Sequence, residues 1–344
     1  MEETYLKIKL DLNKILCNFT NKENQYTIPI FIPHKGCPNN CIFCNQKRIS
    51  GQIKNVDIEE IDNIINTYLG YYNSSNKKIE IAFFGGSFTG IDIDLQRKYL
   101  GVAKKYVDAG KVDSIRLSTR PDYIDENILN ILKEYNVGTI ELGVQSMDDN
   151  VLNFAKRGHT SLDVKKASKL IKEFDINLGH QIMIGLPKST IDTEIYTIKE
   201  CLKLNPTQLR IYPVYVIEDS ELYDMYNLKH YIPLSINDAI KRCVAVIREC
   251  QKTNVSIIRL GLQSTSEITS SNANIFGPVC DNFAEYVIAK IIRDEIEKSI
   301  NNYNENIEVF VPNKYISVTV GPKRINKIYF EDKYNVRYMV KGEN

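Results

Sequence analysis

Three cysteines lie within eight residues of one another, and they constrain this chain more than any other feature. They are Cys37, Cys41 and Cys44, and they follow an apolar run at Ile28–Ile32. Iron–sulfur clusters are held by cysteine thiolates, and a four-iron cluster normally takes four of them. Three thiolates on one short loop leave the fourth iron open, and an open iron can bind and reduce a small molecule. The spacing therefore predicts a [4Fe–4S] cluster that these three cysteines ligate.

A zinc site and a disulfide are the alternatives for the same cysteines. His34 precedes Cys37 by three positions, so it could complete a local four-ligand zinc site. Structural zinc usually joins separated parts of a chain, and four ligands within residues 34–44 would join very little of it. A disulfide is weaker still, because no charged and then apolar leader opens the chain. That pattern predicts a cytoplasmic protein, in which thiols stay reduced.

Composition restricts the remaining possibilities. The chain has 344 residues, of which 43% are hydrophobic and 25% are charged, as in an ordinary globular enzyme. Its net charge of +1 gives no overall attraction for nucleic acid or for an anionic membrane. No apolar stretch approaches the roughly 18 residues of a membrane helix, so we expect no membrane partner. The other five cysteines are scattered, and Cys243 and Cys250 suggest buried thiols on one helix.

Apolar runs rich in β-branched residues alternate with amphipathic stretches. The predicted strands are Thr27–Ile32, Ile79–Phe84, Ser114–Ser118, Thr139–Val144, Asn177–Ile184, Gln208–Val216 and Ser256–Leu260. The predicted helices are Asp57–Tyr71, Asp94–Asp108, Glu126–Tyr135, Ser161–Phe174, Thr190–Lys203 and Ile236–Thr253. Mostly apolar strands imply burial on both faces, as in a parallel sheet. The alternation predicts an α/β fold, namely a partial (β/α)6-type TIM-like barrel with a small α+β C-terminal extension.

We expect three segments along the chain. Residues 1–26 are polar and predict an irregular N-terminal extension, whereas residues 27–262 form the core domain. Residues 263–344 form the C-terminal extension, with a helix, a Gly-Pro turn and three short strands. The predicted helix is Asn282–Asn301, and the predicted strands are Ile307–Val311, Tyr315–Val320 and Lys327–Phe330.

The chemistry of a βα barrel lies at the carboxyl ends of its strands, and the unusual polar and glycine-rich elements fall there. Gly85, Gly86 and Ser87 follow the second predicted strand. Glycines in that position let backbone groups approach a ligand closely. Arg120 follows the third predicted strand, and it could either contact a carboxylate in a bidentate manner or face solvent.

Glu141 and Gln145 share one face of the fourth predicted strand. A buried carboxylate needs a partner, so we expect either a ribose hydroxyl or Arg120 to lie beside Glu141. A structural ion pair explains Glu141 equally well. Gln145 is the better candidate for contact with a cofactor.

Histidines and tyrosines supply weaker candidates. His159 follows Gly158 in a segment that favours a helix cap, with a general base as the alternative. His180 lies within the fifth predicted strand, which favours a core position. Tyr212 and Tyr215 on the sixth predicted strand could line a substrate cavity.

Together these motifs resemble a radical S-adenosylmethionine (SAM) protein of the Elongator catalytic-subunit type. The matching segments are Gly36–Gln46, Phe83–Gly90, Ser118–Ile124, Glu141–Ser146, Arg157–Thr160, Ile182–Pro187 and Arg210–Ile217. The cysteine motif is specific to the radical SAM superfamily. Several of the other segments are shared with the oxygen-independent coproporphyrinogen oxidases.

The resemblance implies two cofactors, a [4Fe–4S] cluster and S-adenosyl-L-methionine. It implies that Gly85 and Gly86, with Ser87 beside them, contact the methionine part of SAM. It also implies that Arg120, Gln145 and Glu141 contact its carboxylate or ribose. Such an enzyme would cleave SAM reductively to a 5′-deoxyadenosyl radical, with an electron from a donor such as flavodoxin or ferredoxin.

The resemblance also implies a substrate class. Enzymes of the Elongator type modify tRNA uridine and carry a C-terminal acetyltransferase domain, for which residues 263–344 are too few. We therefore expect a chain that lacks that domain and acts on a tRNA base. A small metabolite such as a tetrapyrrole is the second interpretation, as for coproporphyrinogen oxidases. A non-catalytic iron–sulfur or zinc binding module is the third.

Overall fold

The computed structural model describes residues 4–19, 25–32, 37, 41–45, 56–72, 77–262, 274–301 and 305–343. The strands are β1 (Tyr5–Lys9), β2 (Gln25–Ile32), β3 (Lys78–Gly85), β4 (Ser114–Thr119), β5 (Val137–Gln145), β6 (Asn177–Ile184), β7 (Gln208–Pro213), β8 (Val216–Ile217), β9 (Ser256–Leu260), β10 (Ile275–Phe276), β11 (Asn306–Pro312) and β12 (Tyr338–Glu343). The α-helices are α1 (Leu12–Ile15), α2 (Ile58–Tyr71), α3 (Ile93–Asp108), α4 (Glu126–Glu134), α5 (Asp149–Phe154), α6 (Ser161–Glu173), α7 (Ile191–Lys203), α8 (Glu221–Asn227), α9 (Ile236–Cys250), α10 (Phe283–Lys298), α11 (Ile316–Val320) and α12 (Ile325–Tyr334).

Seven parallel strands form the scaffold of the fold. Their order in the sheet is β2-β3-β4-β5-β6-β7-β9, so each strand lies beside the one that precedes it in this set. All their pairings are parallel, and parallel neighbours need a crossover, which helices usually supply. The sheet curls into a half-barrel, which confirms the predicted partial TIM-like α/β fold.

The helices bury an apolar face against this sheet, and α4 shows the pattern clearly. Ile128, Leu129, Ile131 and Leu132 are all buried, at a spacing that places them on one face of a helix. Each such side chain contributes about 1.5–3 kcal/mol when it leaves water. Asp125 caps the helix by accepting a hydrogen bond from the Ile128 amide at 2.8 Å. Within the described residues, no helix combines the length and apolarity that crossing a membrane requires.

Three cysteines outside the motif lie in the core. Cys201, Cys243 and Cys250 are free thiols and are fully buried. Burial raises the pKa of each thiol, to about 12 for Cys250. They therefore stay protonated and pack as small apolar groups, which confirms the buried thiols predicted for α9.

The segment before β2 covers the outer edge of β9. The side-chain amide of Asn18 donates to the carbonyls of Cys250 and Val255, at 3.0 and 2.7 Å. The Ile257 amide donates to the Asn18 carbonyl at 2.6 Å. An edge strand otherwise presents unpaired backbone groups, and this segment satisfies part of that edge.

A second, smaller sheet joins the beginning of the described chain to its end. In it, β11 lies between β1 and β12, and both pairings are parallel. The expectation of irregular structure in the first 26 residues is therefore wrong for β1. Its side chains alternate between apolar and charged over Leu6–Lys9, and Ile8 is buried. That pattern is too short to predict a strand until β11 is beside it.

Two predicted strands of the C-terminal extension are wrong. Tyr315–Val320 contains α11, and Lys327–Phe330 lies within α12. The β-branched run favours a strand by propensity, but the hydroxyl of buried Thr319 donates to the carbonyl four residues earlier, at 2.8 Å. In α12, the Phe330 ring stacks on the ring of Tyr338, and the two ring centroids are 4.9 Å apart. Tertiary packing overrides local preference, and the extension keeps its predicted α+β character.

The sixth predicted strand, Gln208–Val216, is divided. It forms β7 and then β8, with Val214 and Tyr215 between them. β7 ends at Pro213, a residue with no backbone N–H to donate to a ladder. β8 pairs with β10 in an antiparallel bridge instead.

His180 occupies a core position, as predicted. It is 1% exposed, and its Nε2 lies 2.9 Å from the Ser168 hydroxyl. Burial lowers the pKa of His180 to about 3. The imidazole is therefore neutral in the folded protein at all but strongly acidic pH.

We expect stability to fall in mild acid, because the unfolded chain binds a proton at His180 that the folded protein does not. The ordinary histidine pKa is about 6.5. The stability that neutral His180 contributes is therefore complete above pH 6.5, and it is lost as the pH falls toward the pKa of His180 in the folded protein. The loss should approach about 1.4 kcal/mol per pH unit, measured by urea unfolding between pH 7 and 5. His180→Gln should flatten the slope relative to His230→Gln at an exposed site, and equal slopes would contradict this.

Candidate active site at the carboxyl ends of the strands

The second half of the cysteine loop is anchored to α5 and α8. Cys41 and Cys44 enclose a tight turn, in which the Cys44 amide donates to the Cys41 carbonyl at 2.9 Å. Ile42 between them is 1% exposed. Its amide donates to the Ala155 carbonyl at 3.2 Å, and its carbonyl accepts from the Leu222 amide at 2.7 Å. Two cysteines are thus held by one buried apolar residue.

Cys37 is half-buried, and two guanidiniums lie near it. Burial raises the pKa of its thiol, and the guanidiniums of Arg120 and Arg157 and the backbone amide of Ser87 offset this rise only in part. Metal-binding cysteines are thiolates, and nearby cations favour that state. Soft thiol donors beside two arginines fit the chemistry of an iron–sulfur cluster.

Part of the predicted metal centre lies outside the described residues. These residues are 38–40, between Cys37 and Cys41, and His34 of the zinc alternative. In the described part of the chain, no three Cys, His, Asp or Glu side chains converge closely enough to hold a metal ion. None of the three cysteines is in a disulfide bond in the structure. Their role as cluster ligands stays a prediction that the cationic surroundings support.

Gly85 lets the ends of β2 and β3 approach each other closely. Its φ is +113°, and a Cβ at this position would lie 2.3 Å from the Ile32 carbonyl oxygen. The Gly86 amide faces the same oxygen at 3.4 Å. This contact therefore fixes the end of β2, which precedes the cysteines in sequence, beside the end of β3. Ligand contact by the glycine pair stays a prediction.

Ser87 joins the ends of β3 and β4. Its hydroxyl lies 2.7 Å from the Thr119 hydroxyl and accepts from the Arg120 amide at 3.2 Å. Ser87 is 2% exposed. The side chain predicted to contact the cofactor therefore also positions the backbone of Arg120.

Arg120 is buried at the end of β4, so its solvent-facing alternative is wrong. Its Nε and Nη2 donate to the two carboxylate oxygens of Asp122, at 3.0 and 2.8 Å. Burial lowers the pKa of Arg120, but Asp122 outweighs it and the pKa is raised. The remaining donor, Nη1, has no partner among the described residues. A buried charged donor of this kind calls for a ligand or an ordered water.

Gln145 ends β5 in a left-handed conformation, with a φ of +63°. Its side-chain Oε1 is buried and has no partner in the described part of the chain. A Cβ on Gly143 would lie 3.1 Å from Gln145 Nε2 and 3.2 Å from Arg157 Nη2. Gly143 therefore leaves room for both polar side chains at the strand end.

Arg157 is the site residue that the sequence did not single out. It is 7% exposed, and it donates to Cys41 Sγ at 3.3 Å and to the Gly143 carbonyl at 2.8 Å. It therefore links a motif cysteine to the end of β5. The sequence signal was the cap segment Arg157–Thr160, in which His159 is the more conspicuous residue.

His159 is buried beside these arginines. Burial, with the positive charges of Arg157 and Arg120, lowers the pKa of His159 to about 3. Its Nε2 lies 3.2 Å from the Val144 carbonyl. Thr160 caps α6 in a capping box, so the predicted helix cap is confirmed. The neutral imidazole does not compete with the arginines for negative charge.

Glu141 lies inside the half-barrel and is engaged by protein donors. Its Oε1 accepts from Arg116 Nη1 at 2.7 Å, and its Oε2 accepts from Arg210 Nε at 2.6 Å. Gln181 also donates to Oε2, at 2.7 Å. Burial would raise the pKa of Glu141, but the two guanidiniums hold it below its usual range. The expectation that Arg120 partners Glu141 is wrong, and its cofactor role stays a prediction.

Replacing Gly85 by Ala should destabilise the protein, because the new Cβ would overlap the Ile32 carbonyl. We expect a loss on the order of 3 kcal/mol, measured as the thermal midpoint of protein prepared without cofactors. Gly70→Ala on α2 is the matched control, since nothing lies within 4 Å of its Cβ position. That change should be neutral or stabilising. Similar melting of both variants would show that the close contact does not require glycine.

Replacing Glu141 by Gln should cost about 3 kcal/mol even without SAM, because Arg210 loses its carboxylate and Arg116 keeps only that of Glu80. Urea unfolding of cofactor-free protein measures this loss. The control is Glu134→Gln, whose carboxylate pairs with Arg97 on the surface, where ion pairs contribute little. If the two variants unfold alike, Glu141 is not a structural carboxylate.

Two family models match the chain. Residues 31–201 match the radical SAM superfamily, and residues 206–293 match the radical SAM C-terminal domain. The chain is 32% identical over 184 residues to tRNA uridine(34) acetyltransferase from Methanocaldococcus jannaschii, covering 48% of this chain and 34% of that protein. It is 27% identical over 195 residues to Elongator complex protein 3 from Dictyostelium discoideum, covering 50% and 35%. The matched region is thus about a third of the length of these relatives.

A solved structure shows the same fold. It is archaeal Elp3 from Methanocaldococcus infernus with an N-terminal deletion, and the TM-score is 0.57 at 22% sequence identity. The superposition covers 71% of this chain and 61% of that one. The matches to both family models show that the chain belongs to the radical SAM superfamily, and its sequence is similar to those of archaeal tRNA uridine(34) acetyltransferases.

Proposed function

We propose that this enzyme cleaves SAM reductively on a [4Fe–4S] cluster held by Cys37, Cys41 and Cys44, and that it acts on a tRNA base. The position of Arg157 carries the proposal, because its guanidinium contacts both the Cys41 sulfur and the end of β5. Donors to ligand sulfurs stabilise negatively charged metal–thiolate groups. When bound, such a cluster supplies the electron that breaks a carbon–sulfur bond of SAM and yields the 5′-deoxyadenosyl radical.

Arg120 and Gln145 would bind and orient SAM. In the described residues, Arg120 keeps one buried donor, Nη1, and Gln145 keeps one buried acceptor, Oε1, without a partner. The carboxylate of SAM accepts from a guanidinium, and its amino and ribose hydroxyl groups donate to an amide oxygen. An unpartnered donor and an unpartnered acceptor at adjacent strand ends are therefore complementary to SAM.

The interior of the half-barrel favours a substrate that carries negative charge. Arg116, Arg210 and Arg259 lie on β4, β7 and β9, together with the carboxylates of Glu80 and Glu141 on β3 and β5. Arg210 and Arg259 are directly paired in the β7–β9 register. Burial and the Arg210 charge lower the pKa of Arg259. These guanidiniums, beside the carboxylates that pair with Arg116 and Arg210, would attract an anionic group of a substrate.

The named relatives support RNA as the substrate class. The protein from Methanocaldococcus jannaschii is named for its action on uridine 34 of tRNA. Nucleotides carry the negative charge that the interior favours. We extend only this substrate class to the present chain, because the match covers 34% of that relative.

The proposal also includes a partner and a location. Reductive cleavage needs one electron, which a small carrier such as flavodoxin or ferredoxin would deliver. Free cysteines at every described position suit the cytoplasm, where thiols stay reduced.

Cys41→Ala should abolish the chemistry, because Cys41 is both a predicted ligand and the partner of Arg157. After anaerobic reconstitution, wild type should bind about four iron atoms and form 5′-deoxyadenosine from SAM and a chemical reductant. Cys280→Ala is the matched control, since this half-buried thiol lies outside the motif, and it should keep both properties.

Two outcomes would contradict the proposal. If Cys41→Ala cleaves SAM at the wild-type rate, Cys41 is not a ligand of a cluster on which SAM is cleaved. Bound zinc with no 5′-deoxyadenosine in the wild-type protein would favour a binding module. The tRNA assignment is tested separately, by comparing modified nucleosides in tRNA from cells with and without the gene.

A further inference from the structure

A cavity of about 320 Å³ lies between α9, α10 and the start of α12, and none of its lining residues is a cysteine. Six of its eight lining residues carry a polar or cationic group. The lining residues are Asn237, Ile240, Lys241, Tyr286, Lys290, Arg293, Ile325 and Asn326. None of them has a part in the site described above.

The cavity carries more positive charge than the neighbouring carboxylates neutralise. Lys241 lies 3.6 Å from Asp238 at an exposed position. Asp294 is shared by Lys290 and by Arg248, so one carboxylate serves two cations. Among the described residues, no carboxylate lies within salt-bridge distance of Arg293, whose guanidinium packs over the Tyr329 ring at 4.3 Å. An anionic ligand would complete this charge balance.

Asn326 supplies a second, independent indication of a ligand. It is 0% exposed, and its Nδ2 donates to the carbonyls of Ala289 and Thr319, at 2.8 and 3.1 Å. Its Oδ1 has no partner in the described part of the chain. A buried acceptor without a donor destabilises a fold, so the wall of the cavity is incomplete as it stands.

The wall that α9 contributes to the cavity lies near the carboxyl end of β6. Helix α9 contributes residues of its first two turns, Asn237 and Lys241. Leu234, just before α9, packs where β6 ends, because a Cβ on Gly185 would meet it at 2.8 Å. Helix α10 follows β10, which pairs with β8 beyond the end of β7. A long substrate could therefore reach the site and the cavity together.

We propose that this cavity binds a phosphate group, and that the phosphate belongs to the RNA whose base enters the half-barrel. This inference rests on the proposed function. Phosphate suits several convergent cations, and the ribose 2′-hydroxyl can donate to an amide oxygen such as that of Asn326. A volume of about 320 Å³ is at the lower end of ligand pockets, which fits one nucleotide unit rather than a folded partner.

The test is a charge-removing double variant, Lys241→Gln with Arg293→Gln. Its matched control is Lys104→Gln with Lys169→Gln, which removes two charges from α3 and α6. Anaerobically reconstituted proteins are titrated with tRNA at several salt concentrations. The cavity variant should bind tRNA about ten-fold more weakly. The slope of its log binding constant against log salt concentration should become shallower by roughly 0.7–0.9 for each phosphate that the protein no longer neutralises. The control should match wild type.

Free phosphate compounds distinguish the source of the ligand. If inorganic phosphate or a nucleoside monophosphate raises the melting temperature of wild type but not of the cavity variant, while tRNA affinity is unchanged, the RNA assignment is wrong. Unchanged binding of every probe would overturn the phosphate site itself. Cleavage of SAM without RNA should be equal in all proteins, so a failure of the proposed chemistry is recognised in wild type, independently of the cavity.

Discussion

The close approach of β2 and β3 at Ile32 and Gly85 is the contact on which the site depends. Parallel strands end at a common edge, so the loops after them converge without any further device. The cysteine loop leaves β2 just after Ile32, and Ser87 leaves β3 just after Gly85. Because Gly85 has no Cβ, the carbonyl of Ile32 can lie where a side chain would stand. The two loops therefore start side by side, and Ser87 then fixes the backbone of Arg120 on β4.

Charge is arranged in two separate layers within the half-barrel. In the interior, Glu141 is neutralised by Arg116 and Arg210, and this network braces neighbouring strands without needing a ligand. At the strand ends, Arg120 and Arg157 are partly satisfied by Asp122 and by backbone, and they face the cysteines. The first layer holds the scaffold, whereas the second is organised around negative charge that sulfur ligands would bring.

Much of the core could be predicted from sequence, because apolar strands and amphipathic helices carry strong local patterns. The rim positions of Arg120 and Gln145 followed from the same alternation. Other features depend on contacts distant in sequence. Arg157 became recognisable only when its guanidinium was placed against Cys41. The helix around Thr319 contradicts its own β propensity, because the C-terminal core packs that hydroxyl inside.

The small sheet of β1, β11 and β12 has a consequence for how the protein is made. β1 pairs with a strand that lies about 300 residues further along the chain. During synthesis the first strand therefore emerges long before its neighbour exists, and it stays unpaired while the seven-stranded sheet is assembled. Contacts of such long sequence separation form slowly. We therefore expect this sheet to close late in folding, after the seven-stranded sheet has formed.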